Sequence, residues 1–142
     1  MKSLMGIFLI CLPLKHLSIT SGYGYRIHPL TGKYCFHAGV DFRASHDTVY
    51  AVFSGRISSV QDDERLGINI HLEQGQLQSI YGHLSEIFVS KGDTVNAGDP
   101  IAITGATGWV TGAHLHFSVR YGSRYIDPIR FLSQQIIKQE NE

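Results

Sequence analysis

The fold is indicated most directly by residues 68–81, which read INIHLEQGQLQSIY. Apolar and polar residues alternate strictly over residues 68–72, which places successive side chains on opposite faces of a β-strand. A second apolar run, residues 77–81, follows after residues 73–76, which are polar apart from one glycine. We therefore predict a β-hairpin over this stretch, with its turn at residues 73–76.

The same kind of pattern continues on both sides of the hairpin. Short runs rich in Val, Ile, Tyr and Phe are separated by Gly, Asp, Asn and Pro, which is typical of an all-β domain. Further strands are predicted over residues 48–53, 55–60, 100–104 and 114–120. The fold class predicted is mainly β, as a single domain with a largely antiparallel β-sheet.

A helical pattern appears only near the C-terminus. Asp127 is predicted to cap a helix, with Pro128 at its first position and apolar residues continuing to Ile137. We expect this short helix to end in a polar, frayed tail over residues 138–142.

Composition limits the classes of function. The chain has 142 residues and a mass of 15.8 kDa, which fits one domain. Twelve Lys and Arg residues balance twelve Asp and Glu residues, so there is no broad basic field for a polyanion and we predict no nucleic-acid partner. Two cysteines, Cys11 and Cys35, are too few for a disulfide scaffold or a four-cysteine zinc site, and whether they pair is left open. The oligomeric state is also left open.

The N-terminal residues contain an apolar run, residues 4–14. Its length suits the hydrophobic part of a secretory signal and falls short of the ~20 residues that cross a bilayer, so we predict no stable membrane span. No small-x-small cleavage site follows it. Residues 12–17 therefore read equally well as part of a signal sequence or as a first strand, and we treat residues 1–16 as a signal-like or entry segment.

The chain has eight histidines, and two of them form the motif HLH at residues 114–116. In a strand, His114 and His116 project from one face while Leu115 and Phe117 point the other way. Two neighbouring imidazoles in a partly dry site need partners, and a metal ion supplies one. The alternative is two histidines that face solvent on an exposed strand.

A second pair of metal-binding side chains occurs in HAGVD, residues 37–41. His37 and Asp41 share a face of an extended segment, and Gly39 leaves space between them. Taken alone, the pair indicates a surface ion pair. Together with the two downstream histidines it gives a candidate constellation of two histidines and one carboxylate, the catalytic zinc arrangement in which water keeps the fourth position.

The remaining histidines are weaker candidates. His83 ends a predicted strand after a glycine and, by itself, indicates a structural role. Four others are interpreted as non-ligands: His28, His16, His46 and His71. Of these, His28 is expected to help shape a groove wall. Motifs of other enzymes are missing, since there is no H-E-x-x-H helix, no phosphate loop and no G-x-S-x-G elbow.

Four motifs in order carry a resemblance to a known family. They are ITSGYGYRIHP at residues 19–29, HAGVD at 37–41, YGHLS at 81–85 and GAHLHF at 112–117, with VNAG at 95–98 between the last two. This set resembles the lysostaphin/LytM-type zinc endopeptidases of bacterial cell walls, over residues 17–132. The resemblance implies a β-hammerhead-related sheet whose loops wall a narrow groove, and a zinc-dependent metalloendopeptidase that hydrolyses peptide bonds in peptidoglycan crosslinks.

The resemblance also assigns roles to residues. It implies that His37, Asp41 and His116 hold Zn²⁺ and that His83 and His114 are catalytic non-ligands, one as proton acceptor and one as stabiliser of the oxyanion, in an order the sequence does not decide. Arg26 and Tyr34 are weaker candidates for contacts with the substrate. The implied partner is the peptide part of peptidoglycan, and the implied location is the cell envelope, periplasmic or extracellular. We place the metallopeptidase domain at residues 17–133 and a helix end with a polar tail at 134–142.

Two other functions remain as alternatives. Residues 53–60 and 89–102 also resemble the β-hammerhead of biotinyl and lipoyl carrier modules, but such a carrier needs a lysine on an exposed hairpin, and residues 61–67 contain none. The other alternative is a non-catalytic peptidoglycan-binding or amidase-activating module that keeps the groove. Retention of all five metal-site and catalytic residues argues against it.

Overall fold

The structure is a computed structural model that describes residues 9–110 and 112–140. Twelve strands and one helix occur in these residues. Their bounds are β1 Ile19–Ser21, β2 Gly24–Ile27, β3 Tyr34–His37, β4 Val40–Arg43, β5 Thr48–Tyr50, β6 Gly55–Asp63, β7 Gly67–Gln74, β8 Leu77–Ile87, β9 Thr94–Val95, β10 Pro100–Thr104, β11 His114–Tyr121, β12 Arg124–Ile126 and α1 Pro128–Glu140.

Ten of the strands form one antiparallel sheet. Its main path runs β1-β4-β11-β8-β7-β6-β9, with β10 pairing β8 and β5, and β12 pairing β11. β2 and β3 form a separate two-stranded ribbon. The predicted fold class, mainly β and largely antiparallel with one C-terminal helix, is confirmed.

The hairpin predicted at residues 68–81 is present as β7 and β8. Its turn is tighter than predicted, because Gln74 pairs with Leu77 and leaves only two residues at the tip. Gly75 takes a φ of 60°, a left-handed conformation that glycine adopts without steric cost. Two-residue turns with a glycine at positive φ match the twist of the strands that they join.

The core lies on one face of the central strands. Leu115, Phe117 and Val119 of β11 are fully buried there, as are Val40 and Phe42 of β4. Alternation along the two strands therefore sends the residues between them to the opposite face.

Two predicted strand segments differ in the structure. Residues 12–17 form no strand but an irregular segment, and this stretch includes Pro13, which has no N–H for a ladder. The segment is still part of the packed molecule, because Leu14 is buried in the core. The strand predicted over residues 48–53 ends at Tyr50, after which the N–H of Ala51 donates to the carbonyl of Asp99 in a loop.

The C-terminal helix begins as predicted. The Oδ1 of Asp127 accepts hydrogen bonds from the N–H groups of Ile129 at 3.0 Å and Arg130 at 3.4 Å. The helix continues to Glu140 and so includes residues that were predicted to fray, since Lys, Gln and Glu are good helix formers. Among the described residues, no helix has the length and apolar character needed to cross a bilayer.

Candidate metal centre

Three side chains that lie far apart in the sequence meet on the groove face of the sheet. The Oδ1 of Asp41 is 3.4 Å from the Nε2 of His37 and 3.2 Å from the Nδ1 of His116. One potential ligand atom from each residue lies within 4.8 Å of the other two. The structure thus brings together all three residues predicted to hold a metal.

Strand pairing explains the meeting of two of these residues. Asp41 of β4 stands directly opposite His116 of β11 in the antiparallel register. The neighbours of both residues along their strands point into the core, so the carboxylate and the imidazole share the other face.

His37 joins them because the chain bends between β3 and β4. The segment predicted to be continuously extended is interrupted at Ala38 and Gly39. A Cβ atom at position 39 would lie 2.5 Å from the Oγ of Ser118, 2.6 Å from the carbonyl oxygen of Phe117 and 2.8 Å from the Cε1 of His116. Only glycine allows this close approach, which places the bend against the back of the His116 ring.

Hydrogen bonds orient the two imidazole rings. The Nδ1–H of His37 donates to the carbonyl of Gly22 at 2.9 Å, and the Nε2–H of His116 donates to the Oγ of Ser118 at 2.8 Å. Each ring therefore turns its other, unprotonated nitrogen towards Asp41. Partners of this kind fix the tautomer and the orientation of metal-binding histidines.

Electrostatics favour the protonation states that bind metals. Burial alone would raise the pKa of Asp41, but the adjacent imidazoles of His116 and His37 outweigh it and hold the pKa well below the usual range of a carboxyl group. Burial lowers the pKa of His116, despite the opposing effect of the carboxylate. The site accordingly favours an anionic Asp41 and a neutral His116, the forms of these side chains that ligate metal ions.

The donor set fits zinc. Imidazole nitrogen and carboxylate oxygen bind Zn²⁺ at about 2.0–2.1 Å, so neighbouring ligands of a tetrahedral ion lie about 3.4 Å apart. The separations of 3.4 and 3.2 Å from Asp41 match this spacing. Three protein ligands leave a fourth position for water or substrate, as in catalytic rather than structural zinc sites.

Two further histidines face the same centre. The rings of His83 and His114 are 4.8 Å apart, and the Nε2 of His114 is 3.7 Å from the Oδ1 of Asp41. The Nδ1–H of His83 donates to the carbonyl of Thr107 at 2.7 Å, and that of His114 donates to the carbonyl of Gly112 at 3.0 Å. The Nε2 atom of each ring therefore carries a free lone pair.

His83 reaches the groove through an irregularity in β8. Tyr81 points into the core, so a regular strand would also turn residue 83 towards the core. Instead His83 has a φ of 62°, and the register between β7 and β8 shifts at this point. The bulge re-aims the imidazole into the groove. Burial lowers the pKa of His83 to about 4, because it outweighs the opposing hydrogen bond to Thr107, and His114 adds a smaller lowering effect.

These five residues line a groove with a cavity volume of about 470 Å³. Arg26 also lines it, as does His28, whose predicted place at the groove wall the structure reproduces. Tyr34 does not line the groove: it is 72% exposed and stacks on Tyr25 with 5.5 Å between ring centroids. His16, His46 and His71, predicted to be non-ligands, also lie outside it.

Sequence reasoning missed three residues of this site. Trp109 lies against the His28 ring at 5.5 Å, with the guanidinium of Arg65 5.8 Å from the indole. Both come from loops, where strand alternation gives no signal. Ser118 could have been found, because it follows His116 by two residues and so shares its face of β11.

Comparison with known proteins places this geometry in context. The family model described as "Peptidase family M23" matches residues 35–128, which include all five clustered residues. Among relatives, the chain is 37% identical over 115 residues to "Peptidoglycan DD-endopeptidase ShyB" of Vibrio cholerae, covering 79% of this chain and 27% of that protein. It is 31% identical over 119 residues to "DD-carboxypeptidase/endopeptidase Mpg" of Neisseria meningitidis, covering 82% of this chain and 27% of that protein.

Solved structures show the same likeness. The catalytic domain of lysostaphin from Staphylococcus simulans matches with a TM-score of 0.76 and 34% identity, over 82% of this chain and 92% of that domain. A zinc-containing peptidase from Vibrio cholerae also gives a TM-score of 0.76, with 36% identity over 82% of this chain and 37% of that chain. The protein thus spans about a quarter of the two curated relatives but nearly the whole of the lysostaphin catalytic domain.

Proposed function

The chain belongs to peptidase family M23, and we propose that it is a zinc-dependent endopeptidase that hydrolyses peptide bonds in peptidoglycan crosslinks. The observation that carries this proposal is the meeting of His37, Asp41 and His116 with two further histidines in one groove. The printed names of the relatives, a peptidoglycan DD-endopeptidase and a zinc-containing peptidase, support the choice of substrate and metal. The corresponding site of action is the cell envelope, periplasmic or extracellular.

In this function His37, Asp41 and His116 hold the zinc ion. When bound, zinc supplies a Lewis acid that polarises the scissile carbonyl and makes a water molecule acidic enough to lose a proton near neutral pH. Asp41 contributes negative charge that holds the cation, while the hydrogen bonds to Gly22 and Ser118 keep the two ligand rings in place.

His83 and His114 perform the proton transfers. Burial lowers the pKa of His83 and so favours its neutral form, and in both rings the hydrogen bond at Nδ1 leaves Nε2 available for proton transfer. Between them they accept the proton of the attacking water, return it to the leaving amine and stabilise the negative charge that develops on the carbonyl oxygen. The 4.8 Å between their rings leaves both beside the same reacting bond.

Arg26 is proposed as a contact for the substrate backbone. It lines the groove, and its buried Nε has no hydrogen-bond partner in the part of the chain that the structure describes. An unsatisfied buried donor is costly, so a carbonyl oxygen of a bound peptide would be a favourable partner for it.

The test is hydrolysis of crosslinked muropeptides combined with metal analysis. We expect chelation to abolish turnover and Zn²⁺ to restore it. Replacing His37 or Asp41 by Ala should remove both bound zinc and activity, whereas His83→Ala and His114→Ala should lose most turnover and retain the metal. His71→Ala, outside the groove, is the control and should keep both.

Two results would contradict the proposal. Loss of zinc from both the His83 and His114 variants would make them structural parts of the metal site rather than proton-transfer groups. Binding of muropeptides without any turnover by the zinc-loaded protein would favour the non-catalytic binding module instead.

A further inference from the structure

A second cavity of about 790 Å³ lies at one end of the sheet, and we call it the basic cleft. One wall is the irregular segment that carries Lys15 and His16. The other wall is the end of β4 with Arg43, followed by the turn that carries His46 and leads to β5.

The charges in the basic cleft are unbalanced. Lys15 and Arg43 are exposed, and neither forms an ion pair within residues 9–110 and 112–140. Asp47 is the carboxylate that lines the cleft, and its Oδ2 already accepts a hydrogen bond from the N–H of Ser45 at 2.9 Å. Two formal positive charges therefore face one negative charge, with two exposed imidazoles beside them.

The walls of the basic cleft are held in place by backbone hydrogen bonds. The N–H of Arg43 donates to the carbonyl of Ser18 at 2.8 Å, and the N–H of Tyr50 donates to the carbonyl of Pro13 at 2.9 Å. Leu14 and Ala44, both buried, also line the cavity. A preformed cleft with an apolar lining strengthens the attraction between its cations and an anion.

The basic cleft continues the groove that holds the metal centre. Arg43 stands opposite His114 in the register of β4 and β11, and it follows Asp41 by two residues on the same face. Ala113 lines the cleft while its neighbour His114 lines the groove. Two residues of a strand span about 7 Å, so the cleft begins about two residues of extended peptide away from the metal centre.

We propose that the basic cleft binds a carboxylate of the peptide substrate, about two residues from the cleaved bond, with Arg43 as its main contact. This inference rests on the proposed function and adds to it a preference for substrate charge. A guanidinium binds a carboxylate through two parallel hydrogen bonds and a neutral amide less well. The cleft therefore selects crosslinks whose carboxylates are free over crosslinks in which they are amidated.

The experiment compares two crosslinked muropeptide dimers that differ only in amidation of their free carboxylates. For the zinc-loaded protein we expect kcat/KM to be about tenfold higher for the free carboxylate, mainly through KM. Arg43→Gln should remove most of this preference by raising KM for the carboxylate substrate alone, and Lys15→Gln should reduce it in part. Arg130→Gln, which makes the same charge change on the exposed face of the helix, should leave the preference intact.

A binding measurement separates this proposal from the proposed function. Backbone amide NMR shifts of the zinc-free protein are followed in three titrations. The first adds a single stem peptide in its carboxylate form, the second adds the same peptide in its amidated form, and the third adds inorganic phosphate. Shifts at residues 43–47 with the carboxylate peptide only, abolished by Arg43→Gln, would support the basic cleft even if no hydrolysis occurred. Equal kcat/KM for the two dimers, equal shifts with both peptides, or tighter binding of phosphate than of the carboxylate peptide would overturn it.

Discussion

Replacing Ser118 by Ala tests whether the hydrogen bond behind His116 serves the metal site. The Ser118 side chain is 2% exposed, and its Oγ accepts from the Nε2–H of His116 at 2.8 Å. The variant leaves that N–H without its acceptor in a place that solvent does not reach. Loss of such an outer partner typically weakens metal binding 10- to 100-fold, or about 1.4–2.7 kcal/mol.

The effect should fall at the lower end of this range. A hydrogen bond that the ring also makes before zinc binds contributes to affinity only through the part that strengthens on metal binding. A bound cation polarises the imidazole and makes its N–H a better donor, and the hydrogen bond also excludes the tautomer that carries its proton on Nδ1. We expect the dissociation constant for Zn²⁺ to rise about tenfold.

The assay is competition between the zinc-free protein and a chromophoric chelator, with Ser79→Ala as matched control. Ser79 is also buried in the sheet, and its Oγ donates a hydrogen bond of the same length, 2.8 Å, to the Oη of Tyr81. Its loss should lower the free energy of unfolding without changing zinc affinity. The reasoning fails if Ser118→Ala binds zinc as tightly as the unaltered protein, or if the control weakens binding equally.

Three further predictions concern folding and the shape of the site. Gly39→Ala should lower the free energy of unfolding by about 1–3 kcal/mol and weaken zinc binding, because the new Cβ meets backbone and the His116 ring. Urea unfolding measures the first effect and zinc titration the second. Unchanged values in both would contradict the close approach at Gly39. Asp127→Ala should cost about 1 kcal/mol in urea unfolding through loss of the helix cap, and no change would show that the cap is dispensable. Burial lowers the pKa of His71 from 6.5, so the unfolded state takes up more protons as the pH falls below 6.5 and stability declines. His71→Gln should make that decline, measured by urea unfolding between about pH 7 and 5, less steep, and an unchanged slope would refute the cause.

Much of the fold was predictable because strand alternation is a local property. In β11 the same four residues, 114–117, that indicated two imidazoles on one face also indicated Leu115 and Phe117 on the other, and the structure has both faces as predicted, with Leu115 and Phe117 buried. The hairpin of β7 and β8 followed from the same rule. Burial of one face leaves little freedom in register, so a pattern of period two carries over directly into the folded sheet.

Features that depend on contacts between distant segments were not predictable. Residues 12–17 could form a strand only if a partner strand paired with them along their length. Pro13 has no N–H for such pairing, and in the fold the segment is irregular. The position of Tyr34 is a similar case. Its residue type suits a substrate contact, but the ribbon of β2 and β3 holds it on Tyr25 and away from the groove.

The orientation of His83 depends on a bulge in β8, but the local sequence carries a signal for that bulge. Tyr81 and Leu84 are both fully buried, yet residues three apart in a regular strand point to opposite faces. Burying both requires one extra residue between them, and that residue must leave the ladder. The sequence YGHL already contains this conflict, with large core residues at a spacing of three and a glycine between them. An apolar pair at odd spacing inside a strand therefore predicts a bulge, and here the residue that the bulge turns outward is the histidine beside the metal centre.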